Sequence, residues 1–575
     1  MNGESLDIKQ TRLQRLKELC PELFAESQLD WEKLKAAFGD DINFVNERYV
    51  LNWAGKSDAF KILQQPTTAT LKAVPEESVN FDTTDNLFIE GENLEVLKVL
   101  QKAYYGKVKC IIIDPPYNTG SDSFIYPDKF SEKKEDYLKR IGDKDEEGFL
   151  MKEGLFRKNS KDSGHYHSNW LSMMYPRMFL AKNLLRDDGV IFVHIDDNEV
   201  HNLRMVMNEI FGEENFVGQI ANINNPKGRS DDKFIATSHE YILVYAKRKE
   251  TCYWLGFEPE EKVLRRYNKK DTKGKFREID LRKTGDADLR EDRPDMFYYF
   301  YYHEQKGDVR ISKDPQSLSD YREIIPIRED GKFGRWRWGF DTAKENIDKL
   351  LFRYMPNRKI WGIFEKDYLD EREYLKPVSA WAYKDVNSER GSEQFIELGF
   401  DKNVFPKPKP VGTIKRILNL CTNANRRDIF LDFFGGSGTT AQAGLELNKE
   451  DGGNRKFILV QMPEPCDESS EAYKAGYNTI ADIGKERIRR VIQKIEKEIA
   501  EKPDLFDKGK LDLGFKVFKL SPSSFKIWRG SEIDSEEKLI EQLDAFTDPS
   551  KPGAEKANML YELMLKAGHE LTSPI

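Results

Sequence analysis

Four short apolar runs, set between segments that repeat apolar residues at helical spacing, restrict this chain to few folds. The runs lie at 108–113, 190–195, 429–433 and 457–461 and are rich in β-branched or aromatic residues. Such runs are typical of strands that are buried on both faces. The alternation of strand and helix predicts βαβ units, and hence an α/β fold with a doubly wound, mostly parallel sheet and helices on both faces.

The chain divides into regions of different character. At 575 residues it is longer than most single domains. Between the two pairs of apolar runs lies a charged, aromatic and turn-rich stretch that reads as an inserted domain. We predict a helical N-terminal extension at 1–82, a core domain in two parts at 83–250 and 398–500, and an insert at 251–397. The largely helical C-terminal extension at 501–575 is predicted to contain a short strand-like run at 515–520 and a final helix.

Bulk composition excludes several classes of protein. No apolar run approaches the roughly 20 residues needed to span a bilayer, and the five cysteines include no C-x-x-C pair. We therefore expect a cytoplasmic protein with reduced thiols and no metal, in which His165 and His167 are surface or substrate-facing residues. Because the net charge is −8, any contact with nucleic acid must be local.

A glycine-rich turn follows the third apolar run. The string Leu-Asp-Phe-Phe-Gly-Gly-Ser-Gly-Thr-Thr at 431–440 separates that strand from a helix-forming segment. Glycines permit a sharp turn and close approach to a ligand, whereas many such turns serve packing alone. The turn lacks the Lys-Ser/Thr ending of a P-loop and is not a clean G-x-G-x-x-G. Gln461, at the next strand end, could bond the ribose hydroxyls of an adenosine.

The string Asp-Pro-Pro-Tyr at 114–117 follows the first apolar run. Its prolines fix the backbone just beyond a strand end, where ligands bind in open α/β sheets. The carbonyls of Asp114 and Pro115, together with the Asp114 carboxylate, can accept hydrogen bonds from a planar amine, and the Tyr117 ring can stack on its base. A Pro-Pro turn that merely ends a buried strand is the alternative for this tetrapeptide alone.

The chemistry of an aromatic amine explains why acceptors matter here. Its lone pair is delocalised into the ring, so the amine is a poor nucleophile toward a methyl sulfonium. Acceptors that hold both N–H bonds favour the pyramidal nitrogen and stabilise the positive charge that develops on it. The presence of both motifs in one α/β chain therefore favours methyl transfer to an amine, without a metal.

The two motifs together resemble those of the amino-methyltransferases of restriction-modification systems. The Asp-Pro-Pro-Tyr motif precedes the F-x-G-x-G motif of Phe434, Gly436 and Gly438, which is the order of the permuted β group of adenine methyltransferases. The Asn-Thr-Gly continuation at 118–120, the segments at 195–199 and 515–518 and the N-terminal extension are similar to the modification subunits of type III systems. The resemblance implies a Rossmann-like S-adenosylmethionine-dependent methyltransferase fold.

The resemblance also implies roles for individual residues. Asp114, Pro115, Pro116 and Tyr117 would hold a flipped adenine in the catalytic half, 83–250. S-adenosylmethionine would occupy the cofactor-binding half, 398–500, with Lys409 near its methionine end. Gln461 stands where the family often has an acidic residue, and Glu92 stands where Asp is usual for the cofactor's adenine amine. The cofactor set is Phe434, Gly436, Gly438, Asp432, Gln461, Glu92 and Lys409.

The insert is similar to a target-recognition domain. Its basic stretch includes Arg265, Arg266, Lys269 and Lys270, which suit phosphates. In the Arg-Trp-Arg-Trp run at 335–338, a strand would place Arg335 and Arg337 on one face, in either a base-contacting or a structural role. The six aromatic residues at 297–302 favour a core strand.

The resulting expectation is a site-specific DNA methyltransferase that acts on N6 of a flipped adenine in duplex DNA. Its expected partners are a second copy of the chain and a separate restriction subunit with helicase and nuclease activities. Two alternatives stay open: an amino-methyltransferase that acts on cytosine, RNA or a protein amide, and a non-catalytic DNA-recognition subunit.

Overall fold

The computed structural model describes residues 5–25, 28–31, 33–34, 50–119, 125–127, 156–158, 165–230, 232–257, 261–370, 375–501, 511–526 and 535–574. It forms two compact units. The first combines Met1–Leu255 with Val378–Ile575, and the second is Gly256–Pro377. The second unit lies within the range predicted as the insert.

The described strands are, in chain order, β1 (Phe24–Ala25), β2 (Gln28–Leu29), β3 (Thr70–Ala73), β4 (Leu87–Glu90), β5 (Val108–Ile113), β6 (Ile125–Pro127), β7 (Phe156–Lys158), β8 (Leu185–Ile195), β9 (Phe216–Asn222), β10 (Glu240–Ala246), β11 (Lys269–Asp271), β12 (Gly274–Asp280), β13 (Tyr299–His303), β14 (Asp308–Ser312), β15 (Arg322–Ile324), β16 (Leu350–Met355), β17 (Ile360–Tyr368), β18 (Ala380–Trp381), β19 (Ile429–Asp432), β20 (Lys456–Gln461) and β21 (Lys516–Ser521).

The described α-helices are α1 (Ile8–Leu19), α2 (Lys56–Gln64), α3 (Asn93–Tyr104), α4 (Tyr166–Leu184), α5 (Val200–Phe211), α6 (Glu261–Leu264), α7 (Phe340–Glu345), α8 (Ser388–Glu397), α9 (Val411–Cys421), α10 (Thr439–Asp451), α11 (Glu471–Lys474), α12 (Ile480–Glu501), α13 (Glu536–Ala545) and α14 (Lys556–Ala567). Within the described residues, none of these helices combines the length and the apolar character that a bilayer crossing demands.

A sheet of ten strands dominates the first unit, in the order β18-β9-β10-β8-β5-β19-β20-β4-β21-β3. Its six central strands, from β8 to β21, are parallel, whereas β9, β10 and β3 pair antiparallel with their inner neighbours. The predicted α/β class with a mostly parallel sheet is therefore confirmed. The four apolar runs of the sequence fall on β5, β8, β19 and β20, which occupy adjacent central positions.

Burial explains why these strands were visible in the sequence. Every residue of β5 is buried, as is every residue of β19. Helices α3 and α4 pack against the sheet with most of their residues buried. Strands covered on both faces need apolar side chains at successive positions, so they read as continuous apolar runs.

The two extensions contribute strands as well as helices. Strand β3 lies within the range 1–82 and β21 within 501–575, and the two pair with each other at one edge of the main sheet. Val517 and Phe518 of β21 are fully buried. The strand-like run predicted at 515–520 is confirmed as β21, whereas β3 was not predicted in the N-terminal extension, because a short edge strand gives a weak sequence pattern beside helices.

The second unit contains two antiparallel sheets, β11-β12-β17-β16 and β14-β13-β15. Tyr298 and Phe300 are fully buried in its core, beside Trp336. The prediction that the aromatic run at 297–302 belongs to the core is thus confirmed. The segment 335–338 does not form the strand that would place Arg335 and Arg337 on one face; Trp336 makes one isolated bridge, with Arg282.

One edge of the main sheet gathers the chemistry-bearing strand ends. The carboxyl ends of the parallel strands β8, β5, β19, β20 and β4 lie on the same edge. Strand β10 runs antiparallel to β8, with Tyr241 opposite Ile195, so its first residue lies at this edge too. Ligands of open α/β sheets bind at such an edge.

Candidate active site

The Asp-Pro-Pro-Tyr turn leaves β5 and is fixed by side chains from α4. Trp170 Nε1 donates to the carbonyl of Pro116 at 2.7 Å, and the Tyr166 hydroxyl donates to the carbonyl of Asn118. Asn118 itself has a positive φ of 58°, a conformation that asparagine tolerates better than most residues. These contacts set the turn without using the Asp114 side chain.

Glu199, at the start of α5, anchors the residue that follows the turn. Its Oε1 accepts hydrogen bonds from Asn118 Nδ2 at 2.5 Å and contacts His167 Nδ1 at 2.6 Å, while its Oε2 accepts from Asn202 at 2.8 Å. The Glu199 side chain is fully buried. A buried carboxylate needs such partners, so Glu199 acts as a structural anchor for the turn. The half-exposed His167 is one of these partners.

Four side chains form a cluster at the edge of the main sheet where the parallel strands end: those of Lys409, Tyr117, Glu240 and Asp114. Lys409 Nζ donates to the Tyr117 hydroxyl and to Glu240 Oε2, each at 2.6 Å, and Tyr117 donates to Glu240 Oε2 at 3.0 Å. Glu240 Oε1 accepts from Asn222 Nδ2 at 3.1 Å. Lys409 is predicted to lie near the methionine end of the cofactor, and in the structure its ammonium contacts Tyr117 and Glu240.

The charges of this cluster stabilise one another. Burial opposes ionisation of Glu240, but Lys409 and then His194 outweigh it and hold the Glu240 pKa well below its ordinary value. Burial likewise opposes the Lys409 ammonium, yet Asp114 and Glu240 raise the Lys409 pKa. Burial, with the same two carboxylates, raises the pKa of Tyr117. Tyr117 is therefore a neutral phenol at neutral pH.

One carboxylate oxygen of Asp114 is available as a hydrogen-bond acceptor. Its Oδ1 lies 3.3 Å from Lys409 Nζ, but this buried atom accepts no hydrogen bond from any described residue. The nearby ammonium balances the charge of this carboxylate but leaves its hydrogen-bonding capacity unfilled. The atom therefore fits an N–H group that arrives with a ligand, which is the role predicted for Asp114.

The glycine turn joins β19 to the start of α10. Gly436 and Gly438 have positive φ values of 50° and 81°, which other residues adopt only with strain. A Cβ on Gly438 would lie 3.1 Å from the carbonyl of Gly484, and a Cβ on Gly435 would lie 2.8 Å from Leu459 Cγ. The glycines are thus required by conformation and by close packing.

Asp432 shapes this turn from within. Its Oδ1 accepts from the Phe434 amide at 2.9 Å and its Oδ2 accepts from Thr440 Oγ1 at 2.6 Å. Burial raises the Asp432 pKa to about 7, although those two hydrogen bonds lower it. Both oxygens already have partners within the turn, so Asp432 positions the backbone on which Phe434 is carried.

Gln461 and Glu92 also have internal partners. Gln461 Oε1 accepts from the Gly436 amide at 2.7 Å, so it braces the turn from the neighbouring strand end. Glu92 Oε2 accepts from the Glu95 amide at 2.9 Å, which caps α3, and Oε1 pairs with Arg177. Both residues lie at the expected edge, and these contacts give each of them a structural role there.

Arg487 is a site residue that sequence reasoning missed. It is fully buried on α12 and reaches under the glycine turn, where Nη1 donates to Ser437 Oγ at 2.8 Å and to Thr439 Oγ1 at 2.6 Å. Nε donates to Gln442 at 2.8 Å. Burial lowers the Arg487 pKa to about 9, so it is still a cation at neutral pH. A sequence signal exists, because Arg487 interrupts the apolar stripe of Ile483, Val491 and Ile495.

The residues predicted to contact DNA belong to the second unit. Arg265, Arg266, Lys269 and Lys270 are exposed there, although Arg265 pairs with Glu261 and Lys269 with Glu278. Arg337 is exposed as well. Arg335 differs, because its side chain is buried and its Nε donates to the carbonyl of Ala287 at 2.5 Å.

Comparison with known proteins adds independent information. A family model described as "DNA methylase" (N6_N4_Mtase) matches residues 108–496. The chain is 35% identical over 461 residues to the type III restriction-modification enzyme EcoPI Mod subunit of Escherichia phage P1, covering 79% of this chain and 70% of that one. It is 34% identical over 413 residues to the type II methyltransferase M.KpnI of Klebsiella pneumoniae, covering 71% and 88%.

A solved structure is also similar. The crystal structure of the M1.HpyAVI–SAM complex is 14% identical and covers 70% of this chain and 98% of that chain, with a TM-score of 0.28.

Proposed function

The chain belongs to the DNA methylase family, and on that premise we propose that it transfers a methyl group from S-adenosylmethionine to the N6 amine of adenine in duplex DNA. Relatives that cover most of the chain are Mod subunits of type III systems and a type II methyltransferase. We propose the Mod role for this chain, in a site-specific modification reaction.

One observation carries the proposal. Strands β5 and β19 are neighbours in the sheet and parallel, with Ile111 opposite Leu431. The Asp-Pro-Pro-Tyr turn and the glycine turn therefore leave the sheet side by side. Asp114 is close enough to raise the pKa of Asp432 through its charge, in addition to the larger effect of burial. This proximity supports direct transfer of one methyl group between ligands of the two turns.

The residues present fit S-adenosylmethionine at the glycine turn. Gly436 is partly exposed in the turn that leads into α10, where the helix start carries a partial positive charge. A Cβ on Gly436 would lie 3.6 Å from Phe405 Cζ, so the absence of a side chain keeps the space between them open. Phe434, Gly436 and Gly438 would hold the cofactor, with Asp432, Gln461 and Arg487 fixing the turn.

S-adenosylmethionine supplies a methyl group on a sulfonium centre when bound. Asp114 Oδ1 accepts a hydrogen bond from an N–H group of the adenine amine, and the Tyr117 ring provides a face on which the base stacks. The Asp114 and Glu240 carboxylates outnumber the Lys409 ammonium, so these three groups carry a net charge of −1. This charge stabilises the positive charge that develops on the amine as it attacks.

The target base and the partners are part of the proposal. Aspartate at position 114, rather than serine or asparagine, favours adenine over cytosine by resemblance to the family. We propose that the insert reads the target sequence, that the chain acts as a homodimer in the cytoplasm, where its DNA lies, and that it joins a restriction subunit. The exposed basic residues Arg265, Arg266, Lys269 and Lys270 are the proposed phosphate contacts.

Methylation of DNA by the purified chain tests the proposal. Mass spectrometry of digested nucleosides is expected to show N6-methyladenine, and single-molecule sequencing is expected to place it in one sequence motif. Asp114→Ala is expected to retain less than about a tenth of the wild-type rate while binding S-adenosylmethionine normally by calorimetry. N4-methylcytosine would overturn the choice of adenine, and a wild-type chain without methylation or cofactor binding would favour the non-catalytic alternative.

A further inference from the structure

Two adjacent apolar side chains protrude from the connection between β9 and β10. Phe234 is 89% exposed and Ile235 is 84% exposed, more than any other large apolar residue among those the structure describes. A single exposed apolar residue is ordinary on a protein surface. A neighbouring pair at the tip of one connection is a feature that a partner can use.

Backbone hydrogen bonds join the two sides of this connection. The Asn225 amide donates to the carbonyl of Ser238 at 3.1 Å, and the Arg229 amide donates to that of Thr237 at 3.0 Å. Asp232 Oδ2 accepts from the Thr237 amide at 2.7 Å. Phe234 and Ile235 lie between the residues joined by these bonds, and both side chains are exposed to solvent.

The base of this hairpin is the catalytic cluster itself. Strand β9 ends at Asn222 and β10 begins at Glu240, and these two residues are joined by the hydrogen bond from Asn222 Nδ2 to Glu240 Oε1. Glu240 in turn contacts Tyr117 and Lys409. The tip is six residues from Glu240 along the chain, which limits their separation to about 20 Å.

We propose that Phe234 and Ile235 form a wedge that enters the base stack of duplex DNA beside the extruded adenine. The inference rests on the proposed function. An extruded base leaves a gap in the stack, and apolar side chains fill such gaps in other duplexes by partial unstacking. The tip combines an aromatic and an aliphatic side chain on a connection whose two sides are hydrogen-bonded and whose base lies at the proposed pocket for the flipped base.

The surroundings of the tip agree with a nucleic-acid partner. Lys227, Arg229 and Lys233 flank the pair, and Lys233 Nζ lies 5.4 Å from the Phe234 ring centroid. The acidic residues of the connection are Asp231 and Asp232, and Asp232 is engaged with Thr237. Because the net charge of the connection is small, the position of the tip beside the pocket carries the inference, and basic side chains add contacts to phosphates.

Methylation kinetics on two duplexes test the wedge. Both contain the motif found for the wild-type chain, and they differ in the nucleotide opposite the target adenine, which is thymidine in one and an abasic site in the other. On the paired duplex, Phe234→Ala/Ile235→Ala is expected to lower kcat/KM at least about tenfold. On the abasic duplex, where no base pair resists extrusion, most of that loss is expected to disappear. Phe234→Trp is expected to stay close to wild type.

A matched control and a second readout separate this role from others. Leu19→Ala removes another apolar residue, 80% exposed on α1, and is expected to leave both rates unchanged. A 2-aminopurine at the target position is expected to fluoresce more with the wild type than with the double variant.

An equal loss of kcat/KM on both duplexes would mean a structural role and would overturn the wedge. Wild-type rates on both duplexes would also overturn it and leave a protein partner as the ligand of the tip. A wild-type chain that methylates no DNA would provide no motif from which to build the duplexes and would overturn the proposed function and the wedge together.

Discussion

Lys409 Nζ donates a hydrogen bond to the Tyr117 hydroxyl at 2.6 Å, although 292 residues separate the two in the chain. The same ammonium contacts the buried carboxylate of Glu240. Glu240 is buried and the other two side chains are partly buried, each with a partner of the appropriate charge or polarity, so the loss of one leaves the others unsatisfied. This interdependence makes the cluster open to test by substitution.

Substitution of Lys409 by methionine is expected to destabilise the first unit and to reduce methylation. Glu240 is 6% exposed as a side chain, and a buried carboxylate that loses its cation costs about 3 kcal/mol or more. The denaturant midpoint of the variant is therefore expected to fall, as followed by tryptophan fluorescence. The double variant Lys409→Met/Glu240→Gln is expected to recover most of the midpoint, but not the methylation rate.

Lys415→Met provides the control for that experiment. Lys415 pairs with Glu446 and with Glu450, and these carboxylates are more accessible to solvent than Glu240. Its removal is expected to cost less than about 1 kcal/mol. If Lys409→Met left both the midpoint and the rate at wild-type values, the cluster would have no role in stability or in the reaction.

Substitution of Asp432 by asparagine is expected to change how stability depends on pH. The folded chain binds the Asp432 proton with a pKa of about 7, above the ordinary value of 3.8. The folded state therefore holds more protons than the unfolded state between these values, and wild-type stability falls as the pH rises through that window. Asparagine cannot ionise. The free energy of unfolding of the variant, relative to that of the wild type, is therefore expected to rise from pH 4 to pH 7 and then level off.

The measurement is the difference in denaturant midpoint between the two proteins across pH 4–8. The full shift corresponds to a few kcal/mol, at about 1.4 kcal/mol for each pKa unit. Other titrating groups cancel in the difference because both proteins contain them. A difference that stayed constant with pH would contradict the raised pKa of Asp432.

Arg487→Met is expected to weaken binding of S-adenosylmethionine without weakening binding of DNA. Its guanidinium holds the Ser437 and Thr439 hydroxyls under the glycine turn, and the loss of such charge-assisted bonds corresponds to about tenfold or more in Kd. Calorimetry measures the cofactor affinity. Lys494→Met, at an exposed position on the same helix, is expected to bind normally, and an unaltered Kd for Arg487→Met would exclude the positioning role.

The central sheet could be predicted from the sequence because of how its strands are buried. Strand β5 coincides with the predicted run, 108–113, since both of its faces are covered and all its residues are apolar or buried. Strand β9 was not predicted, because its residues alternate between partly exposed and buried positions near the sheet edge. Strands near an edge are identified by their pairing with other strands. That pairing is long-range, so a short window of sequence does not reveal it.

The site was predictable where a motif is local, and not where a contact is long-range. The two turns were identified because their residues are consecutive and their chemistry is specific. Glu199, Glu240 and Arg487 act through contacts with residues that are 50 or more positions away. Arg335 illustrates the opposite error: a local pattern predicts a contact with DNA, but the side chain is buried and donates to the backbone of its own unit.

The exposed basic residues of the second unit are expected to make the DNA affinity depend on salt concentration. Each Lys or Arg that neutralises a phosphate releases about one counterion, so log Kd for DNA depends on log salt with a slope close to the number of such contacts. Arg266→Ala/Lys270→Ala is therefore expected to weaken DNA binding and to reduce that slope by about two. Fluorescence anisotropy of a labelled duplex at several salt concentrations measures the slope. Arg335→Ala is expected to keep the slope while lowering the thermal midpoint, because its guanidinium bonds the backbone of its own unit. A wild-type slope in the double variant would remove these two residues from the DNA interface.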